Sequence, residues 1–507
     1  MHNMSLKYLL SPWIKNVPNK NIFNLNIDSR TLIKGSLFIA VSGIKNDGRN
    51  FIFEAIYKKA VAILCETKKK ENHGKYKYIN QVPIIYFFRL SENISMIAGR
   101  FYKQPGKKIK IIGITGTNGK TTVTHLINQW SEILGNKIAT IGTLGNGVYK
   151  SLIPTKNTTP DAIYIQSFLH MVLEKKIKLV TMEVSSHGLV QNRVKGVPFY
   201  IAIFTNLSQD HLDYHENMQK YESAKWLLFS NHIVKKIVLN ANDKYGKIWL
   251  KKLLNYYTIA VTIKDEKQRK YSKKWLNATH IKYYENLINI TFESSWGGGN
   301  LSSCLMGKFN VINLLLSLAC LLELGHNISN LTNTSHQIKP INGRMQTFIV
   351  NKKPIFIIDY AHTPDALKQA LTAIRLHYNQ NYIWCIFGCG GERDKKKRPL
   401  MGAIAEKIAD KVIITNDNPR NEKKVNIVND ILSGCQKKQN ILTILDRKKA
   451  ISYAFYQAKY DHIIFIAGKG HEETQIIQNK YINYSDKKMV LNLLEKKYDF
   501  SVLKKNS

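Results

Sequence analysis

The stretch from Gly113 to Thr122, Gly-Ile-Thr-Gly-Thr-Asn-Gly-Lys-Thr-Thr, constrains this chain more than any other. It follows the β-branched run Ile109 to Ile112, which reads as a buried strand. It precedes Val123 to Leu134, where apolar residues recur at helical spacing until Gly135 stops them. Strand, glycine-rich turn, Lys-Thr and helix is the arrangement of a phosphate-binding loop. Glycines at Gly116 and Gly119 let backbone N–H groups of Thr117 and Asn118 turn inward, and the helix N-terminus at Thr121 and Thr122 adds positive potential. Lys120 would neutralise the outer phosphates and the Thr121 hydroxyl would sit on Mg²⁺. The strict eight-residue pattern would place a glycine at Ile114; here the glycines are Gly113 and Gly116.

A chain of 507 residues predicts about three domains at ~150 residues each. The reading divides it at residues 1–103, 104–340 and 341–507, with Gln104-Pro105-Gly106 as a linker. The first part is a small α/β module, with strands at Leu37 to Val41, Val61 to Cys65 and Val82 to Phe88. In the second, strands at Ile177 to Val184, Tyr200 to Thr205 and Ile237 to Asn240 alternate with helices at Met218 to Ser230 and Asn310 to Leu324. Lys264 to Lys274 reads as a charged loop and Gly297-Gly298-Gly299 as a hairpin or flexible turn. The third alternates strands at Ile355 to Asp359, Tyr382 to Phe387, Lys411 to Thr415 and Ile463 to Ala467 with helices. The fold class expected is α/β: a central P-loop doubly wound parallel sheet, flanked by a small N-terminal α/β domain and a Rossmann-like C-terminal one.

Lys and Arg number 75 against 36 Asp and Glu, a net charge of +39. The lysines are scattered through every segment, so the charge reads as a chain-wide bias rather than a nucleic-acid footprint. Six cysteines lie far apart without a CxxC pair, which excludes a zinc pattern and predicts free thiols in a reducing compartment. Met1 to Lys20 has no apolar signal core, and the apolar run Val311 to Leu322 is short and broken by Asn313 and Ser317. A cytoplasmic monomer with neither nucleic-acid nor membrane partner is expected.

In an open parallel sheet, ligands bind beyond the carboxyl ends of the strands. Polar clusters fall there repeatedly. Glu183 and His211 stand at or just after strand ends in the loop's own domain, as candidate Mg²⁺ ligands. Four clusters mark the third domain: Asp359-Tyr360-Ala361-His362-Thr363-Pro364-Asp365, Gly388 to Asp394, Asp417-Asn418-Pro419-Arg420, and Gly468-Lys469-Gly470-His471-Glu472.

With these residues in place the chain resembles the Mur ligases, ATP-dependent amide-bond-forming enzymes of peptidoglycan synthesis. The resemblance runs through Asp28-Ser29-Arg30, Gly116 to Thr122, Asn157-Thr158-Thr159, Glu183 to His187, Gln191, Arg193, His211, Tyr221 to Lys225, Asn313, Gly343-Arg344-Met345 and the four clusters. It implies three small-molecule substrates: ATP, a UDP-N-acetylmuramoyl dipeptide and meso-diaminopimelate. Ile27, Ser29, Ile44, Lys45 and Asn46 would hold the uridine nucleotide. Asn157, Thr158, Thr159, Ser185, Gln191 and Arg193 would hold the muramoyl-dipeptide end. Gly116 to Thr122 would hold ATP, completed by Asn313, Arg344 and Asp359. Arg393, Asp417, Asn418, Pro419, Arg420, Gly468 and Glu472 would line the diaminopimelate site. Lys120, Lys225 and His211 would be catalytic. Lys225 matches a lysine carbamylated in the family, and as a carbamate it would join Thr121, Glu183 and His211 around Mg²⁺. A related lysine-adding ligase, a folylpolyglutamate synthetase and a nucleic-acid-dependent ATPase are the competing readings; Asp417 to Arg420 argues against the first two.

Overall fold

The computed structural model describes residues 3–43, 46–155, 157–478 and 480–495. Three large sheets, with two two-stranded ones, organise the described residues. The first has five strands in the order Asn24–Asn26, Ser36–Ala40, Ala62–Thr67, Val82–Phe88, Tyr76–Ile79. All its pairings are parallel except the last. Ser36–Ala40 is buried along its whole length, as a strand covered on both faces must be.

The central sheet has eleven strands. Its parallel core runs Ala139–Gly142, Leu179–Glu183, Lys110–Thr115, Phe199–Phe204, Val234–Asn240, Thr258–Ile263 and Lys274–Tyr284. Helices cover both faces. Lys120–Ile133 and Lys308–Glu323 pack on one. Ala162–Glu174, Met218–Ser230 and Lys244–Lys252 pack on the other. Trp130 and Trp249 are fully buried in the two layers.

The doubly wound expectation is therefore met in the centre, and the edges add what it lacked. Gly145–Val148 and Ser151–Ile153 extend one edge antiparallel. Leu287–Ser294 and Gly299–Ser303 extend the other. The three glycines at 297–299 turn a hairpin between these last two strands. The expected charged loop holds a 3₁₀ turn, Glu266–Tyr271, before Lys274–Tyr284 begins.

The third sheet has six strands in the order Gln346–Phe348, Ile355–Asp359, Ile463–Ala467, Ile383–Phe387, Lys411–Ile414, Ile441–Thr443. Only its edge strand Gln346–Phe348 is antiparallel. Helices Pro364–His377, Lys397–Ile408 and Lys424–Leu432 cover one face. Arg447–Gln457 and Asp486–Glu495 cover the other. The last two, with the hairpin Thr474–Ile477 and Lys480–Asn483, are additions to the sequence reading. Among the described residues no helix is long and apolar enough to cross a membrane.

The central sheet's loops meet the helix Pro364–His377 of the third domain through polar contacts. Asn118 Nδ2 donates to Asp365 Oδ2 at 3.2 Å, and Tyr378 OH donates to Asn286 Oδ1 at 2.8 Å. This docking faces the carboxyl ends of both parallel sheets toward one space.

Candidate active site

The turn after Lys110–Thr115 could be built only with glycine at two points. Gly116 has φ +150°, and a Cβ there would overlap Thr205 Oγ1. Gly119 has φ +84°, and a Cβ would lie 2.6 Å from Asn313 Oδ1. Asn313 therefore abuts the phosphate loop. Lys120 folds back on the loop, Nζ donating to the carbonyls of Gly116 and Thr117 at 2.8 and 2.9 Å. Lys225 reaches the same place from the helix Met218–Ser230, donating to the Gly116 carbonyl at 2.8 Å. Two amines thus share one oxygen. Burial, reinforced by Lys120, holds the Lys225 amine well below the usual lysine range; burial also lowers Lys120.

Glu183 ends the strand beside the loop. Its carboxylate accepts from Thr121 Oγ1 at 2.9 Å, Thr143 Oγ1 at 3.0 Å and the Thr143 amide at 2.9 Å. His211 has φ +55° at the start of a short helix, and its Nε2 lies 3.4 Å from Asp210 Oδ2. Burial pushes the His211 imidazole down to about 3. Asp210 is held at about 2: burial would raise it, but His211, His362 and Lys397 prevail. Among the described residues no three His, Cys, Asp or Glu side chains form a metal-binding group. A divalent ion would instead find the Thr121 hydroxyl and the Glu183 carboxylate already side by side.

The third domain sends Arg344 to this point. Its Nη2 lies 3.5 Å from Thr121 Oγ1, and its guanidinium sits over the Tyr360 ring at 4.5 Å. Asp359 faces its own backbone: the carboxylate accepts from the amides of Met345 and Ala361 at 2.7 and 2.8 Å. It thereby pins the segment carrying Arg344, and burial raises its pKa.

Two cavities flank the junction. One, of about 450 Å³, opens beside Asn118, Gly119 and Asn313 and continues along Asn240, Asp243, Phe309 and Thr372. The sequence reading reached only its phosphate-loop end. The other, of about 470 Å³, brings together most of the candidates for the dipeptide end and the amino acid. Asn157, Thr158, Thr159, Ser185, Arg193 and His211 line it from the central domain. Arg393, Asp417, Asn418, Arg420, Gly468 and Glu472 line it from the third. Gln191 supports the lining, its Oε1 accepting from Arg193 Nε and Nη2 at 3.0 and 2.6 Å, and Pro419 lies in the chain between the lining residues Asn418 and Arg420. Thr159 Oγ1 donates to Glu183 O at 2.8 Å, tying this wall to the phosphate side.

On the third-domain wall, Lys469 is fully buried and was missed from sequence. Its Nζ donates to Asn418 Oδ1 at 3.1 Å and Glu472 Oε2 at 2.8 Å, while Asn418 Nδ2 donates to Glu472 Oε2 at 3.0 Å. Arg420 takes φ +52°, held by backbone bonds to Ile476 and Gln478. Its Nη1 donates only to the carbonyls of Gly391 and Asn418, at 2.8 and 3.3 Å. The neighbouring acid Glu422 is taken by the buried Arg398, at 2.7 and 2.8 Å. Arg420 therefore faces the cavity without a carboxylate partner among the described residues.

In the first domain, Ile27 and Ser29 follow the carboxyl end of Asn24–Asn26, and Asn46 follows that of the adjacent Ser36–Ala40. Ser29 Oγ donates to Glu54 Oε2 at 2.8 Å. Ile44 and Lys45 lie outside the described residues. Ile27, Ser29 and Asn46 line neither cavity.

The phosphate loop, the acid and hydroxyl beside it, and a second polar cavity shared with a docked domain define a nucleotide-dependent enzyme that joins two other substrates. The chain belongs to the Mur ligase family. Residues 21–102 match the Mur ligase family catalytic domain, 114–321 the Mur ligase middle domain, and 343–470 the Mur ligase glutamate ligase domain. The UDP-N-acetylmuramoyl-L-alanyl-D-glutamate--2,6-diaminopimelate ligase of Buchnera aphidicola subsp. Acyrthosiphon pisum is 72% identical over 496 residues, 98% of this chain and 100% of that protein. Its counterpart from Buchnera aphidicola subsp. Schizaphis graminum is 65% identical over 497 residues, again 98% and 100%. A solved ligase of the same name superposes with a TM-score of 0.68 at 30% identity, covering 97% of this chain and 99% of that one.

Proposed function

We propose that this chain is the ATP-dependent ligase that adds meso-2,6-diaminopimelate to UDP-N-acetylmuramoyl-L-alanyl-D-glutamate, releasing ADP and phosphate. Residues 1–103, 104–340 and 341–507 serve as the domains for the uridine nucleotide, ATP and the amino acid. The observation that carries the reading is the 470 Å³ cavity, where dipeptide-side and amino-acid-side residues face one another beside the phosphate loop.

The D-glutamate γ-carboxylate attacks the ATP γ-phosphate in line, giving an acyl phosphate and ADP. Lys120 leaves its loop carbonyls for the phosphates, where charge grows in the transition state, and Arg344 meets the same charge from the third domain. The amine of the amino acid then attacks the acyl carbon and phosphate departs. Docking of the third domain keeps water from that intermediate.

Thr121, Glu183, His211 and Lys225 as a carbamate would hold Mg²⁺, which when bound supplies positive charge opposite the phosphates. Carbon dioxide adds to a neutral amine, the form that burial favours at Lys225, and the product is an anion where two amines now share one carbonyl. Glu472, Asp417 and Arg420 would bind the distal amino-acid end of diaminopimelate; the unpaired Arg420 fits its extra carboxylate. Phosphate release measured with each substrate omitted in turn tests the reading: release should need both the muramoyl dipeptide and diaminopimelate.

A further inference from the structure

The loop after Ile355–Asp359 places a histidine where the two halves of the reaction meet. His362 lines the 470 Å³ cavity between the dipeptide wall at Thr158 and Ser185 and the amino-acid wall at Asp417 and Glu472. Its Nδ1 lies 2.9 Å from the Tyr360 carbonyl oxygen. A carbonyl oxygen can only accept, so Nδ1 carries the ring proton and Nε2 the lone pair. Nε2 stands 3.9 Å from Asp210 Oδ2, which comes from the central domain. The ring meets Tyr360 edge-on at 4.8 Å, and the His362 carbonyl accepts from Lys397 Nζ at 2.8 Å. Tautomer, ring plane and backbone are each fixed by a separate contact, which is how a positioned base is held.

We propose that His362 is the general base that deprotonates the incoming amine of the amino acid. The inference rests on the acyl-phosphate reading above. The amine arrives as an ammonium ion with no lone pair to donate. His362 Nε2 takes one proton and becomes imidazolium, with Asp210 placed to stabilise the new charge. The freed nitrogen forms the C–N bond at the acyl carbon. As the tetrahedral intermediate collapses, the C–O bond to phosphate breaks and the second N–H proton leaves on hydrogen phosphate. The imidazolium then returns its proton to water.

The charged groups facing the ring are Lys397, Arg344 and Asp210. Burial, with Lys397 and Arg344, lowers the imidazole pKa, while Asp210 opposes them; the net direction is down, so the ring is the free base at neutral pH.

The test compares the wild type with His362→Asn, whose amide N–H can still serve the Tyr360 carbonyl but which has no basic nitrogen. With diaminopimelate, kcat should fall by about 10²- to 10⁴-fold, the usual worth of a general base, while KM changes little. With hydroxylamine in place of the amino acid, a nucleophile already uncharged at neutral pH, the variant should form ATP-dependent hydroxamate within about fivefold of the wild-type rate. That rescue also shows a folded, acyl-phosphate-forming enzyme. Diaminopimelate turnover within about threefold of wild type would overturn the proposal. So would hydroxamate formation that falls in parallel with ligation, since His362 would then act before the amine. A wild type that makes no hydroxamate would instead remove the acyl-phosphate reading, and the base with it.

Discussion

Arg420→Ala tests the proposal that the third domain distinguishes diaminopimelate from lysine, which lacks only the distal carboxylate. The Arg420 side chain is half-buried, burial lowers its pKa, and its only described bonds are from Nη1 to two backbone carbonyls. Its left-handed backbone is fixed to the Thr474–Ile477 hairpin, so the guanidinium cannot move far to find another acid. Glu422, the neighbouring acid, already makes two bonds to Arg398. Losing one partner of a buried charge pair costs roughly 2–5 kcal/mol. Partial exposure of Arg420 argues for the lower end. About 2 kcal/mol corresponds to roughly thirtyfold at 1.36 kcal/mol per decade. The wild type should therefore prefer diaminopimelate over lysine by at least about thirtyfold in kcat/KM. Arg420→Ala should lose most of that preference, chiefly through a higher KM for diaminopimelate. Phosphate release with both amino acids on both proteins gives the four numbers needed. Equal use of lysine by the wild type, or an undiminished preference in the variant, would refute the reasoning.

Other consequences follow from single contacts. Lys120→Ala should lower kcat by about 10²- to 10³-fold or more if its charge serves the transferring phosphoryl group as proposed; circular dichroism should show an intact fold. Lys225→Ala should lose most activity and Lys225→Glu should recover part of it, and native intact-mass analysis should show one added carboxylate on the wild type only. Full activity in Lys225→Ala would end the carbamate assignment. Glu422 has a pKa lowered from 4.5 to about 2, chiefly by its hydrogen bonds to Arg398. A carboxylate with a depressed folded pKa stabilises above its unfolded value and loses that contribution as pH falls through the folded one. Acid melts between pH 4.5 and about 2 should therefore be shallower for Glu422→Gln than for the wild type, and identical slopes would contradict the pairing.

The parts of the site readable from sequence were those written in contiguous residues. The phosphate loop states its chemistry in one run from Gly116 to Thr122, and Asp417 to Arg420 in another. Contacts across the domain junction carried no such signal. Asp210 and His362 each stood within a polar cluster, but nothing local says that their side chains meet. Lys469 looked like one more lysine in a lysine-rich chain, and only tertiary burial turns it into the tie between Asn418 and Glu472. The assignment of Glu422 to Arg398 rather than Arg420 was likewise a matter of side-chain reach. In the fold, fully buried parallel strands such as Ile463–Ala467 announced themselves as apolar runs. Lys274–Tyr284 and Leu287–Ser294 carry no continuous apolar run, their outer residues alternating with more exposed ones, and the sequence reading gives no strand there.

The central claim is that ATP cleavage here is coupled to joining a carboxylate and an amine. The most direct measurement is phosphate release by the full-length wild type with Mg²⁺ and ATP, adding the UDP-muramoyl dipeptide, diaminopimelate, or both. The account predicts sustained release only when both are present, in step with formation of the UDP-muramoyl tripeptide. Rapid release with ATP alone, or release that responds to added nucleic acid and ignores the two substrates, would contradict it.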